Sequence, residues 1–379
     1  RRGDRVLDVN GEVARAGYPL PGAGDEARTL RVARGDLRIE ARMTNSALGD
    51  ARALAERGGV AAEVFRSGRS ESATLPVGLK VRLTAVPVFV SNDTLWTRTP
   101  SGELSVTRGR WLLVVRRPGF LEMRKTFDTR SSWAWTVRMD LIPAGKAQEG
   151  WARIHSDHGD HPSFWIMEHE VTAAEYLEFL NDPATLARID ASDKRILFPR
   201  DRTPEAENGY WVREEGGRYR LAEDWDPEWP VLGVNWYDAV AYAQWRTRRA
   251  RASGRSVTFA LPSYKQWIRA GNGDALADYP FGDHLRPKWV SSCFARPTPA
   301  PQRVMSYPID ESINGVFDLA GSAAEWLDDW YQKENELRRI GGGSWAHGDP
   351  EHLKLYGQGF KAEVAHSTVG FRLVMVEDE

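Results

Sequence analysis

An α+β chain is predicted, loop-rich in its second half and carrying a separate small all-β region in its first. Three observations predict it. Apolar and polar residues alternate with period two from about residue 76 to 143. Short helices with explicit N-terminal caps recur after residue 150, set in long connections. The 379 residues include 16 tryptophans, most of them beyond position 150, and 34 glycines. Tryptophan brings large buried area with only one donor to satisfy, so such a region holds together with little regular structure.

Residues 1–75 mix "YPLPGAGDEAR" with a helical possibility at "LGDARALAERGG" and a strand-like "AAEVFRS". No chemistry is placed there. Residues 76–144 read as an antiparallel β domain built from "KVRLTAVPVFV", "GRWLLVVRRPGF" and "SSWAWTVRMDLIP", with Pro/Gly turns at "RTPSGEL" and "RRPGFLE". "PAGKAQEG" reads as a linker into the last unit, 145–379. Within that unit "EVTAAEYLEFLND" opens with a capping box, Thr172 and Glu175, and a hydrophobic staple, Val171 and Tyr176. "VNWYDAVAYAQWRTRRA" opens on Asn235 with Asp238 in its first turn, where a negative charge suits the helix dipole. "LPSYKQWIRAGNG" repeats the logic with Ser263 and Gln266, and Gly271 is its expected stop.

With 51 basic and 53 acidic side chains the formal charge is −2, which gives no global electrostatic case for nucleic acid or an anionic membrane. The single cysteine, Cys293, excludes an internal disulfide framework and a CxxC motif, and fits either redox compartment. It lacks an adjacent base or cation in sequence and is read as a small buried hydrophobe. No apolar run approaches the roughly 20 residues that span a bilayer. The opening "RRGDRV" is read as the start of a fragment or processed product whose anchor, if any, lies elsewhere.

The stretch "NGVFDLAGSAAEWLDDW", residues 314–330, begins like a turn and ends like a helix, and places four carboxylates beside two tryptophans. Acid–base chemistry, metal binding and a pinned fold are its three readings. Two histidine groups raise a similar question. "HSDHGDH" at 155–161 offers His155, His158 and His161 to zinc or nickel, against the reading of a solvated polar loop.

The ordered series "FWIMEHEVTAAEYLEFL", "WPVLGVNWYDAVAYAQW", "LPSYKQWIRAG", "YPFGD", "DESINGVFDLAGSAAEWLDDW", "RRIGGGSW" and "VGFRLV" resembles the formylglycine-generating-enzyme-like (sulfatase-modifying factor) family from about 150 to 379. The resemblance implies a variant of the C-type lectin fold. The preceding β region looks like a PEGA-type domain, and the pairing resembles the C-terminal part of bacterial serine/threonine kinases, although no HRD or DFG motif occurs here.

In that family a copper ion held by two cysteines converts a sulfatase cysteine to formylglycine. The matching positions in "GGGSWAHGDPEH" are His347 and His352, so the thiolate pair is missing and copper is not expected. The two histidines leave two readings open, a metal pair or loop residues without special role. The resemblance also implies a structural calcium ion on Asp318, Gly321, Ala323 and Glu325, a mix of carboxylates and carbonyls that suits Ca²⁺; helix-capping acids are the alternative. Trp326 and Trp330 are then core, and Asp328 and Asp329 solvated or loop-tying acids. Relative to the family, "ALPSYKQWIRA" and "GGGSW" lack a glutamate and an arginine, while Trp236, Trp267, Trp326, Trp345 and Phe371 keep the framework.

The expectation is therefore a non-catalytic recognition or assembly module, extracytoplasmic and part of a larger membrane or signalling protein. Its binding face would be the irregular loops at 346–368, with Trp345, His347, His352, Tyr356 and Phe360. A protein or peptide partner is expected, carbohydrate is a further ligand class, and nucleic acid is not. A metal-dependent oxidoreductase using His347 and His352, and a purely structural subunit of a large complex, are the alternatives.

Overall fold

The computed structural model describes residues 119–124, 142–155, 162–192, 196–200, 210–273, 277–282 and 285–378, together with the backbone of the strands between residues 5 and 139. "LGDARALAERGG", expected to be helical, lies outside the described residues, as do His158 and His161.

Four strands, Arg5–Val9, Glu12–Val13, Arg28–Arg34 and Leu37–Met43, form one antiparallel sheet. The strand-like "AAEVFRS" is strand Val60–Ser67. It pairs parallel with Val88–Asn92 and antiparallel with Arg110–Arg116, and so crosses the expected 75/76 boundary. Val77–Leu83 likewise pairs parallel with Ala134–Met139. The expected all-antiparallel arrangement is thus corrected to a mixed one. Alternation reports which face a side chain takes and is blind to the direction of the neighbouring strand.

From residue 151 onward the chain is a mixed helix-and-sheet unit. Its strands are β1 (Trp151–Ile154), β2 (Phe164–Met167), β3 (Trp211–Arg213), β4 (Tyr219–Leu221), β5 (Val257–Ala260), β6 (Ala324–Gln332), β7 (Leu337–Gly341), β8 (Gly357–Lys361), β9 (Val369–Gly370) and β10 (Val374–Glu377). One sheet runs β1-β2-β10-β5, all antiparallel. A second runs β8-β7-β6-β9, with β6 and β9 parallel, and β3 pairs with β4 in a two-stranded antiparallel sheet. The segment expected to end as a helix is therefore a strand. Ala324, Glu325, Trp326 and Leu327 are all buried, so both faces of the segment are covered, and Glu325 and Trp326 are held in register by Gly341 and Ile340.

The helices form where the caps predict them. Helix α1 (Ala173–Leu180) has both halves of its capping box, Glu175 N donating to Thr172 Oγ1 and Thr172 N to Glu175 Oε2. Val171 and Tyr176 are fully buried, as a staple requires. Helix α2 (Pro183–Asp190), capped by Asp182 with Pro183 in the first position, follows almost directly. Helix α3 (Trp236–Ala252) starts at Asn235 and Asp238. Helix α4 (Tyr264–Asn272) starts at Ser263 and Gln266 and runs past the expected stop to cap at Gly273, φ +61°. Gly271 is kept small for another reason: a Cβ there would meet the Leu355 methyls at 2.8 Å.

Aromatic rings fill the space between these elements. Tyr176, Phe179, Tyr242, Trp245 and Phe371 form a connected cluster of ring contacts, with centroids 5.2 to 6.2 Å apart. Such pairs add about 0.5–1.5 kcal/mol each beyond area burial. Because α1 delivers Tyr176 and Phe179 to this cluster, its start is worth protecting. Replacing Thr172 by Ala should lower the urea unfolding free energy by about 1 kcal/mol with the fold retained; an unchanged midpoint would mean that the cap carries no stability.

Candidate functional site

Residues 310–326 form an irregular turn that is clamped mainly through its own N–H groups. Asp318 and Ser322, at φ 61° and 65°, sit in the left-handed region that non-glycine residues rarely adopt. Gly321 allows the closest approach, since a Cβ would stand 2.3 Å from the Ser291 carbonyl oxygen. The Asp310 carboxylate accepts from Ala320 N (3.3 Å) and Gly321 N (3.2 Å). Glu170 Oε1 accepts from Ala323 N at 3.2 Å, and Asp318 Oδ2 accepts from Met305 N. Ser322 ties two neighbours, donating its N–H to Ser291 O (2.9 Å) and accepting from Trp345 N (2.8 Å).

Beneath the turn lies Arg372, fully buried. Its Nε donates to Glu325 Oε2 (2.8 Å) and its Nη2 to Glu325 Oε1 (2.7 Å) and Phe317 O (2.8 Å). Its Nη1 donates to Met167 O (3.1 Å) and Glu168 O (3.2 Å), so all five N–H groups have acceptors. Trp267 Nε1 adds a third donor to Glu325 at 3.0 Å. Four buried carboxylates thus share one guanidinium: Glu325 is hydrogen-bonded to it, Glu170 Oε2 stands 3.9 Å from Nη2, and Asp310 and Asp318 lie within its electrostatic reach.

That imbalance sets their protonation. Burial raises Glu170 well above the ordinary carboxylate range, with the charge of Asp318 adding to it. Burial brings Asp310 to about 7. Burial, then the neighbouring Asp310, brings Asp318 to about 8. Carboxyl groups raised in the folded state hold protons that the unfolded chain has released, so their stabilising contribution is lost as pH rises.

The four residues expected to hold calcium, Asp318, Gly321, Ala323 and Glu325, lie on one turn. Glu325 gives both oxygens to Arg372 and Trp267, and Asp318 uses Oδ2 for Met305 N. Among the described residues, no group of three or more histidine, cysteine, aspartate or glutamate side chains is placed to hold a metal ion.

The loop residues are brought together nearby. The His347 and His352 rings lie nearly parallel, centroids 5.0 Å apart and planes at 14°. Burial, then His352 and His366, lowers the His347 pKa. His347 Nδ1 sits 3.2 Å from the Ser344 hydroxyl. Cys293 is half-buried rather than core; its N–H donates to His347 O (3.1 Å), and a Cβ on Gly348 would meet its Sγ at 2.6 Å. Of the expected surface residues, Tyr356 is 43% exposed. Trp345 is half-buried and donates to Ser367 O, and Phe360 packs its ring against Trp326 and His366. His155 is half-buried.

Trp326 is core, as expected, whereas Trp330 is 37% exposed and is corrected to a surface residue. Arg338 lies 3.7 Å from the ring centroids of both Trp330 and Trp236, which gives an exposed indole a stacking partner instead of the core. Asp329 ties a loop, accepting from Tyr264 N at the start of α4, and Asp328 is exposed. Glu170, Asp310 and Arg372 escaped the sequence reading. An arginine inside the apolar run "VGFRLV" was the one available signal, because a charge placed there needs a buried partner.

Residues 128–376 match the family model described as sulfatase-modifying factor enzyme 1-like domain. Serine/threonine-protein kinase Pkn1 of Chlamydia trachomatis is 30% identical over 171 residues, 45% of this chain and 23% of the kinase. Formylglycine-generating enzyme of Bos taurus is 25% identical over 232 residues, 52% of this chain and 58% of the enzyme. Inactive C-alpha-formylglycine-generating enzyme 2 of Bos taurus is 24% identical over 278 residues, 62% of this chain and 87% of that protein. The chain thus spans less than two thirds of the length of the first two relatives.

The protonation argument is testable. The melting midpoint should fall as pH rises from the ordinary aspartate value of about 3.9 through about 7 and about 8, and Asp310→Asn should flatten that slope. Asp310→Asn should also cost about 1–3 kcal/mol at the acidic end, because one N–H of the turn loses its acceptor. A midpoint that rises across this range would show the acids to be ionised in the folded state.

Proposed function

The chain belongs to the sulfatase-modifying factor enzyme 1-like domain family, and on that premise we propose that it is a non-catalytic recognition or assembly module on a C-type-lectin-like variant fold. One observation carries the proposal. The two loop positions that match the family's cysteine pair are His347 and His352, and the one cysteine of the chain, Cys293, supports their loop through its backbone. Soft copper(I) is selected by thiolates, and a single half-buried thiol does not supply a pair. A relative from Bos taurus that is named inactive is in keeping with this reading.

What remains is a surface on a rigid base. Gly343 N to Ala320 O, Trp345 N to Ser322 O and Trp345 Nε1 to Ser367 O fasten the loops of 346–368 to the buried turn. Tyr356 stands out from them, the kind of aromatic anchor that interfaces favour. We place the partner among proteins or peptides, and the module in a larger signalling protein, by analogy with the kinase relatives. An extracytoplasmic location is part of the same reading. No helix among the described residues is long and apolar enough to cross a membrane.

A second reading rests on the paired rings of His347 and His352, which could serve a metal-dependent oxidoreductase. One experiment separates the two. The full chain, supplied with copper and a cysteine-bearing sulfatase peptide, should leave the cysteine mass unchanged; conversion to formylglycine that is lost in His347→Ala would establish the second reading. In parallel, Tyr356→Ala should weaken a captured protein partner about tenfold without moving the melting midpoint, and unchanged affinity would remove the loops from the interface.

A further inference from the structure

We infer that Arg339, held between Tyr264 and Tyr331 at the β8 edge of its sheet, is the docking point for an acidic peptide segment of a partner protein. The guanidinium carbon lies 4.3 Å from the Tyr264 ring centroid and 5.1 Å from that of Tyr331. Two glycines of β8 make room for this stack. A Cβ on Gly359 would run into the Tyr331 ring, and one on Gly357 would stand 2.8 Å from the Arg339 side chain. Gly359 is the ladder partner of Arg339, and β8 is the outermost strand on that side.

Stacking fixes a guanidinium in one plane and leaves its N–H edge for planar acceptors such as carboxylates. Here that edge is unspent. Among the described residues no carboxylate, carbonyl or hydroxyl accepts from Arg339, and its Nε is enclosed without an acceptor. Arg338, which alternation sends to the other face of β7, is the contrast: it lies between Trp236 and Trp330 and gives Nη1 to the Asp328 carbonyl. Charge decides what the Arg339 edge receives. In the adjoining hollow Glu334 and Glu336 offset Lys333 and Lys361, and Asp329 is engaged by Tyr264 N. Arg339 is left as the uncompensated charge, which a carboxylate complements. Tyr331, 43% exposed, sets an apolar ring beside it, so the segment that fits carries acidic and apolar residues side by side.

The inference rests on the recognition reading and names the chemistry of its partner. The test uses the full chain and a fluorescein-labelled peptide alternating leucine and glutamate, with a glutamine-for-glutamate peptide as control, read by fluorescence anisotropy. The glutamate peptide should bind, bind less tightly as salt rises, and lose about tenfold in affinity with Arg339→Gln. The glutamine peptide should bind the unaltered chain about tenfold more weakly than the glutamate peptide. Failure of the glutamate peptide to bind, equal binding of the two peptides, or undiminished binding by a folded Arg339→Gln chain overturns the inference. So does a single-stranded oligonucleotide that binds in the peptide's place. Should Arg339→Gln fail to fold, Arg339→Lys keeps the charge and removes the stacked fork, and the same loss is expected of it. A captured partner that depends on Tyr356 and ignores Arg339→Gln would remove this docking point and leave the recognition reading standing. Formylglycine formation would remove that reading and leave the peptide measurement to decide this one.

Discussion

The buried pair of Arg372 and Glu325 is the interaction on which the second half of the chain depends. Neither charge reaches solvent, and burial of an ion is costly unless every donor and acceptor is met. Here each of the five guanidinium N–H groups has an acceptor, and both carboxylate oxygens have donors. Removing either partner would leave the other charge buried alone, at about 3–5 kcal/mol. The pair thereby fixes which backbone carbonyls approach each other: those of Met167 and Glu168 from one sheet and of Phe317 from the turn. The turn in its place positions the loop above it, since Trp345 N hydrogen-bonds to Ser322 O.

Much of the fold was legible because its local signals are stereochemical. Thr172 with Glu175, Asn235 with Asp238 and Ser263 with Gln266 each satisfy otherwise open N–H groups, and only a helix start needs that pairing at that spacing. Helix α2 was missed although Asp182 and Pro183 signal it, because it follows α1 after only two residues and reads as its continuation. Segment 324–332 was misjudged because Trp-Leu-Asp-Asp-Trp suits a helix locally, while the ladder with β7 and β9 comes from residues far along the chain. Strand direction in the first half was hidden for the same reason.

The site was legible in part. The turn containing Asp318 and Glu325 could be seen from its glycine and its acids, and the resemblance supplied an ion for them. What the sequence hid was the partner of each acid. Glu170 and Asp310 reach the turn from 153 and 10 or 11 residues away, and Arg372 reaches Glu325 from 47. No spacing rule links such positions. The histidine pair is the opposite case: His347 and His352 were paired by position in the sequence, and the structure brings their rings together.

A family scaffold can keep its shape while the residues of its loops change. Shape here rests on aromatic packing and hydrogen-bonded charge, so the loops above can differ in sequence without disturbing it. The most direct measurement is the urea unfolding free energy of Arg372→Met, Glu325→Gln and the double variant. The account predicts that each single change costs about 3–5 kcal/mol and that the double change costs less than their sum. Purely additive losses would contradict it.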